Sequence, residues 1–152
     1  PADLQFKPLI ELSPYALVCE THPLARLEEV SVVDLCEHNM VLLDLPFSAE
    51  YFQSFFHIEG LKPKITERTR DMAVMRSLVA NGYGYSIANI RPLNDMSPDG
   101  KPLKFIPLVG KVRPMRMGLL TAMDADSSIT VRSFIEHCVE LAAHQKIPGI
   151  SA

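Results

Sequence analysis

The chain has 152 residues, 47% of them apolar and 22% charged, which fits one compact domain or two small lobes around a buried core. With 15 basic and 18 acidic residues the formal charge is −3, and no basic stripe is present to hold nucleic-acid phosphates. No apolar run approaches the roughly 20 residues of a membrane helix, and Cys19, Cys36 and Cys138 are too scattered for a disulfide framework or a zinc site.

Phe6 to Leu12 predicts an extended lead-in that Ser13-Pro14 breaks, and Tyr15 to Glu20 predicts a buried strand. A loop, THPLARLEEV, follows. Ser31 to His38 predicts a brief helix with Val32, Val33, Leu35 and Cys36 inward. Met40 to Asp44 is a continuous apolar strand of the kind buried on both faces of a parallel sheet. Leu45 to Ser48 turns the chain, Ser48 is expected to cap a helix reaching about Ile58, and Glu59 to Pro63 closes it.

Lys64 to Thr69 alternates as a strand, and Thr69 or Asp71 caps a helix with Met72, Met75, Leu78 and Val79 on one face. Asn81 and Gly82 stop that helix, and Tyr85 to Asn89 is the next strand, giving a βαβ unit of the kind that points its strand ends at a ligand. Gly82-Tyr83-Gly84 follows a helix and does not precede one, so it reads as a helix stop and not as a phosphate loop. Residues 91–102 hold three prolines and form a loop. Lys104 to Leu108 and Met115 to Ala122 are two further strands. Ser127 or Ser128 caps a last helix with Val131, Phe134, Ile135, Cys138, Leu141 and Ala142 on one stripe, and the tail from Ile147 is expected to fray.

No nucleophile elbow, zinc-protease pair, phosphate-loop lysine motif or CxxC is present, and His22, His38, His57, His137 and His144 show no ligand spacing. Asp44, Glu67 and Asp71 sit near strand ends, where a first-turn charge and an outward strand residue explain Asp71 and Glu67. What remains is a set of turns suited to holding a small polar molecule. At Pro46-Phe47-Ser48 a helix start offers N–H donors, a hydroxyl and a ring for a carboxylate-bearing ligand, although a plain turn, cap and hydrophobic staple would use the same letters. Thr69-Arg70 repeats that geometry with a guanidinium able to hold an anion bidentately, or simply to face water. Asn89 and Arg91 end the third strand, at the edge where such sheets bind ligands. The candidate ligand residues are therefore Pro46, Phe47, Ser48, Thr69, Arg70, Asn89 and Arg91, with no catalytic residue, no metal and no cofactor expected.

The segments LSPYALVCETHPLA, VxxLCEHNMVLLDLP and MAVMRSLVANGYGYSIANIRP, in this order and spacing, resemble the effector-binding domain of LysR-type transcriptional regulators over about residues 7 to 142. The resemblance implies an α/β, periplasmic-binding-protein-like (type 2) lobe with a mixed, mainly parallel sheet flanked by helices, plus part of a second lobe. It implies a crossing strand and hinge at residues 1–13, an effector-binding lobe two at 14–113, the return strand and C-terminal helix of an incomplete lobe one at 114–146, and a tail at 147–152. Since the chain starts at Pro1 within an extended segment, it is expected to be a piece of a longer protein whose winged helix-turn-helix makes the DNA contacts.

The function expected from this resemblance is that of a cytoplasmic sensor for a small polar or anionic metabolite, with no catalysis and no membrane contact. A solute-binding protein of a transporter is the alternative on the same fold, though no export signal opens the chain, and a small α/β hydrolase using Ser48 with His22 is a third reading. Self-association is expected because the last helix lacks most of the sheet it should cover, with exchange of that helix between chains as one route. The Tyr51, Phe52, Phe55 and Phe56 cluster is a second expected contact, unless core packing explains it.

Overall fold

The computed structural model describes residues 3–147 and 149–150. Its first strand, β1 (Leu4–Leu12), pairs with the last, β7 (Met115–Ala122), in an antiparallel ribbon from Leu4 opposite Ala122 to Leu12 opposite Met115. The register shifts between Pro8, which lacks an N–H for the ladder, and Ile10. Gly118 lies opposite Pro8, and a β-carbon there would collide with the Lys7 carbonyl.

The ribbon leads into a five-stranded sheet. Strand β2 (Tyr15–Cys19) lies between β5 (Ser86–Ala88) and β6 (Leu103–Pro107), antiparallel to both, while β3 (Asn39–Leu43) runs parallel to β4 (Lys64–Thr69). The two sets join at Tyr85, whose carbonyl accepts from Val41 N–H at 2.8 Å and whose N–H donates to the Asn39 carbonyl at 3.0 Å. The resulting order is β4-β3-β5-β2-β6, with β2 alone running against the rest. The expected mixed, mainly parallel sheet is thus present.

Helices cover both faces. On one, Phe52, Phe55 and Phe56 of α2 (Ser48–Ile58) and Val32 and Leu35 of α1 (Val32–Leu35) pack on Ala16, Val18, Met40, Leu42, Ile87 and Ile106. On the other, Met75 and Val79 of α3 (Met72–Ala80) pack on Leu17, Val41, Leu43, Ala88 and Phe105. Alternate residues of β3 feed the two cores, which is why that strand is apolar throughout. Burying a side chain such as Phe55 or Phe56 contributes about 1.5–3 kcal/mol.

Several expectations are corrected. Val33 is exposed, because α1 is a single turn that presents only Val32 and Leu35 to the core. Ser48 is the first helical residue and caps nothing; the preceding Phe47, at φ 65°, occupies the cap position, and with 88% of its surface exposed it staples nothing either. Asp71 caps α3, accepting from Ala73 and Val74 N–H at 2.7 and 3.1 Å. Ser128 caps α4 (Ile129–Ala143). That helix packs on β1 and buries only Ile135 and Ala142, with Val131, Cys138 and Leu141 half-buried and Phe134 59% exposed. The tail is paired at its described residues: Ile150 bridges Pro92, and Leu93 N–H donates to the Gly149 carbonyl at 3.3 Å. Pro148, Ser151 and Ala152, part of the tail expected to fray, lie outside the described residues, as do Pro1 and Ala2 of the expected crossing segment.

Candidate functional site

The carboxyl ends of β3, β4 and β5 share one sheet edge with the start of α2. Asp44 N–H donates to the Thr69 carbonyl at 2.8 Å, tying the turns after β3 and β4 together. Beside them an open groove of about 290 Å³ is lined by Asp44, Pro46, Phe47, Glu50, Gln53 and Arg70. Among the described residues one ion pair lies at its margin, where Arg68 meets Asp44 at 3.7 Å with both groups partly in water. The Arg70 guanidinium is exposed and, among the described residues, has no carboxylate within ion-pair distance.

The helix start contributes less than its letters suggested. Ser48 N–H donates to the Pro46 carbonyl at 2.8 Å and Ala49 N–H to the Leu45 carbonyl at 3.1 Å, so those two donors are already taken. What the turn does present is Phe47, held out to solvent at a positive φ that aromatic residues rarely adopt and that costs on the order of 1–3 kcal/mol. The Thr69 hydroxyl oxygen accepts from Asp71 N–H at 3.1 Å, which leaves its proton free for another acceptor.

Asn89 lies deeper, only 5% exposed, on the α2 face of the sheet. Its Nδ2 donates to the Leu12 carbonyl at 2.9 Å and to the Tyr51 phenol oxygen at 3.0 Å, while its Oδ1 is buried with no hydrogen-bond partner among the described residues. The Leu12 carbonyl can only accept, which fixes the amide's orientation. Tyr51 in turn donates to the Arg113 carbonyl at 2.6 Å, and the Arg113 guanidinium sits 5.2 Å from its ring centre. Burial raises the Tyr51 pKa above 10.0, against the opposing pull of the Asn89 hydrogen bond and the Arg113 charge. Arg91 lies on the α3 face, its guanidinium 5.2 Å from the Phe105 ring centre and 5.9 Å from that of Tyr15. Of the seven candidates, Pro46, Phe47 and Arg70 therefore share one groove, with Ser48 and Thr69 in its turns, Asn89 at the hinge and Arg91 on the other face.

Sequence reasoning missed the Tyr51–Arg113 contact and the role of Arg76. Arg76, outside the apolar face read for α3, is buried and donates to the Asn94 and Met96 carbonyls at 2.7 and 2.6 Å. Burial lowers its pKa, partly offset by Asp95. Nothing in the local pattern marks either contact, because the partner groups are backbone carbonyls 18 to 62 residues away. The aromatic cluster on α2 is also corrected: Phe52, Phe55 and Phe56 are inside the core and unavailable to a second chain.

Ser48 stands at the carboxyl edge, whereas His22 follows the Cys19 end of β2 at the opposite edge, its ring 5.0 Å from that of His38 just before β3. The two cannot act as a nucleophile and base pair. Among the described residues no group of three or more His, Cys, Asp and Glu side chains could hold a metal ion, and no helix is long and apolar enough to cross a membrane.

Residues 1–143 match the family described as LysR substrate binding domain. The crystal structure of HinK, a LysR family transcriptional regulator from Pseudomonas aeruginosa, superposes with a TM-score of 0.86 at 30% identity, over 93% of this chain and 49% of that one. The C-terminal domain of a probable LysR family regulator from Rhodococcus sp. RHA1 gives 0.82 at 28% identity, over 91% of this chain and 68% of that one. The BenM effector binding domain with its effector benzoate gives 0.76 at 20% identity, over 95% and 66%, a likeness of fold alone. This chain spans about half the length of HinK. No curated protein sequence matches it.

Proposed function

From the premise that this chain belongs to the LysR substrate-binding domain family, we propose that it is the effector-sensing part of a transcriptional regulator. A small carboxylate-bearing metabolite would bind in the groove at the carboxyl edge of the sheet. The observation that carries this reading is the unpaired, exposed Arg70 across that groove from the strained, solvent-facing Phe47. A guanidinium offers two parallel N–H donors to a carboxylate, the neighbouring Thr69 hydroxyl offers a third, and the Phe47 ring supplies apolar cover for the rest of the ligand. The benzoate held by BenM is a ligand of this chemistry.

In this reading residues 14–113 form lobe two, residues 1–13 and 114–146 belong to the crossing strands and to lobe one, and DNA is contacted by a separate module in the cytoplasm. Binding closes the cleft, and the two states differ in how the lobes and subunits are set, so no chemical step on the ligand is required. The separation of Ser48 from His22 by the width of the sheet argues against hydrolysis. Self-association would use α4, where Ile129, Phe134 and Val139 remain exposed.

A thermal-shift titration with benzoate and a panel of small carboxylates and amino acids tests the reading. A ligand at about 100 times its dissociation constant stabilises by about 2.7 kcal/mol, which for a domain of this size raises Tm by roughly 5–10 °C. The shift should vanish in Arg70→Ala and largely return in Arg70→Lys. No shift with any member of the panel, or a shift of full size in Arg70→Ala, would defeat the assignment.

A further inference from the structure

We propose that Tyr51 is a positioning residue that fastens both crossing segments to the cleft wall, so that the start of α2 and the hinge move together. The chain passes from ribbon to sheet twice, between Leu12 and Tyr15 and between Pro107 and Met115. Each crossing presents one backbone carbonyl that a side chain of the sheet lobe holds: Asn89 donates to Leu12 O at 2.9 Å and Tyr51 donates to Arg113 O at 2.6 Å. Asn89 also donates to the phenol oxygen at 3.0 Å, so the bonds form one relay with a fixed direction, from amide to phenol to hinge carbonyl. The Arg113 guanidinium over the phenol ring closes the arrangement from the hinge side.

Tyr51 is also one helical turn from the groove. Its own N–H donates to the carbonyl of Phe47 at 3.1 Å, which links the residue in the strained conformation to the hinge through a single turn of α2. A displacement of the turn by anything bound against Phe47 is therefore carried to Tyr51 by a rigid element. Coupling to a ligand rests on the cleft reading given above. The fastening of the hinge does not.

Amide hydrogen exchange of the ligand-free chain tests the fastening. Tyr51→Phe keeps the ring edge-on to Phe55, at 4.7 Å between centres, and removes only the hydroxyl. Exchange at residues 10–12 and 115–117 should speed on the order of 5–10-fold, while the amides of β3 stay as they are. Unchanged exchange at the hinge, or equal acceleration in β3, overturns the proposal. Combining Tyr51→Phe with Asn89→Leu should speed the hinge more than either single variant but by less than the product of the two effects, because the amide–phenol bond is lost in both; fully multiplied effects overturn it as well. A carboxylate screen that fails removes the cleft reading and leaves these outcomes unaffected.

Discussion

Gly84 approaches the carbonyl of Asn39 so closely that a β-carbon on it would overlap the oxygen. That approach lets Tyr85 bridge Met40 and joins β3 and β4 to the remaining strands. Gly84 is also at φ 150°, a backbone region that side chains disfavour. Gly84→Ala is therefore expected to destabilise by more than about 3 kcal/mol, by strain and by loss of the bridge. At Gly82, φ 85° with open space around it, alanine should cost only about 1 kcal/mol. Urea denaturation of both variants gives the comparison, and equal losses would show that the collision is relieved cheaply.

Arg76 holds the loop after β5 by donating to two of its carbonyls while its guanidinium lies 5.7 Å from the centre of the Phe105 ring. Replacing it with Met keeps the length and removes the donors. A loss of about 2–4 kcal/mol is expected, since the carbonyls of Asn94 and Met96 lose a charged partner. Limited proteolysis should then cut first within residues 91–102. Unaltered resistance there would mean that other bonds hold the loop.

Much of this fold could be read from the chain because its elements announce themselves locally. Lys64–Thr69 and Met115–Ala122 have the bounds read for them from the sequence, and Asp71 and Ser128 cap the helices they precede. The start of α2 misled, because Ser48 has a capping side chain but the chain enters with Phe47 at positive φ, a conformation no residue pattern announces. Asn89 was legible as a strand-end residue, yet its bond to Leu12 spans 77 residues and depends on how ribbon and sheet meet. Arg91 was legible as a residue just past a strand's end, but its face was not, because beyond the strand that face is set by the following loop, which here turns it onto Phe105.

Acid should weaken the fold in two steps. His22 accepts from Leu24 N–H through Nδ1, and burial, with the neighbouring His38, lowers its pKa below 6.5. A depressed pKa means the unfolded chain takes the proton more readily. The stabilisation is thus complete above pH 6.5 and declines as the pH falls through the folded value. His22→Asn keeps an acceptor for Leu24 and should flatten Tm between pH 7.5 and 5. Asp99, held down to about 2 by Ser97, then Asn81 and weaker bonds, adds a second decline from its ordinary 3.8 downward. A Tm profile of His22→Asn parallel to the parent's would remove His22 from this account.

The last helix should make this chain associate. Ile135 and Ala142 are covered by the ribbon, whereas Phe134 on the same stripe is 59% exposed, as are Leu120 and Met123 at the end of β7 to a similar degree. Covering a phenylalanine ring is worth about 1.5–3 kcal/mol, and several such side chains together exceed what a monomer's surface ordinarily leaves in water. With the rings of α2 inside the core, α4 and the ribbon are where a second chain would gain most. Sedimentation of the parent at high micromolar concentration should show a dimer or larger species, and Phe134→Glu should shift it to monomer; at dilutions where the parent is also monomeric the two should share one Tm, because the exposed ring has few intramolecular contacts to lose. A monomeric parent would dispose of the association, and a dimer indifferent to Phe134→Glu would move its interface off α4.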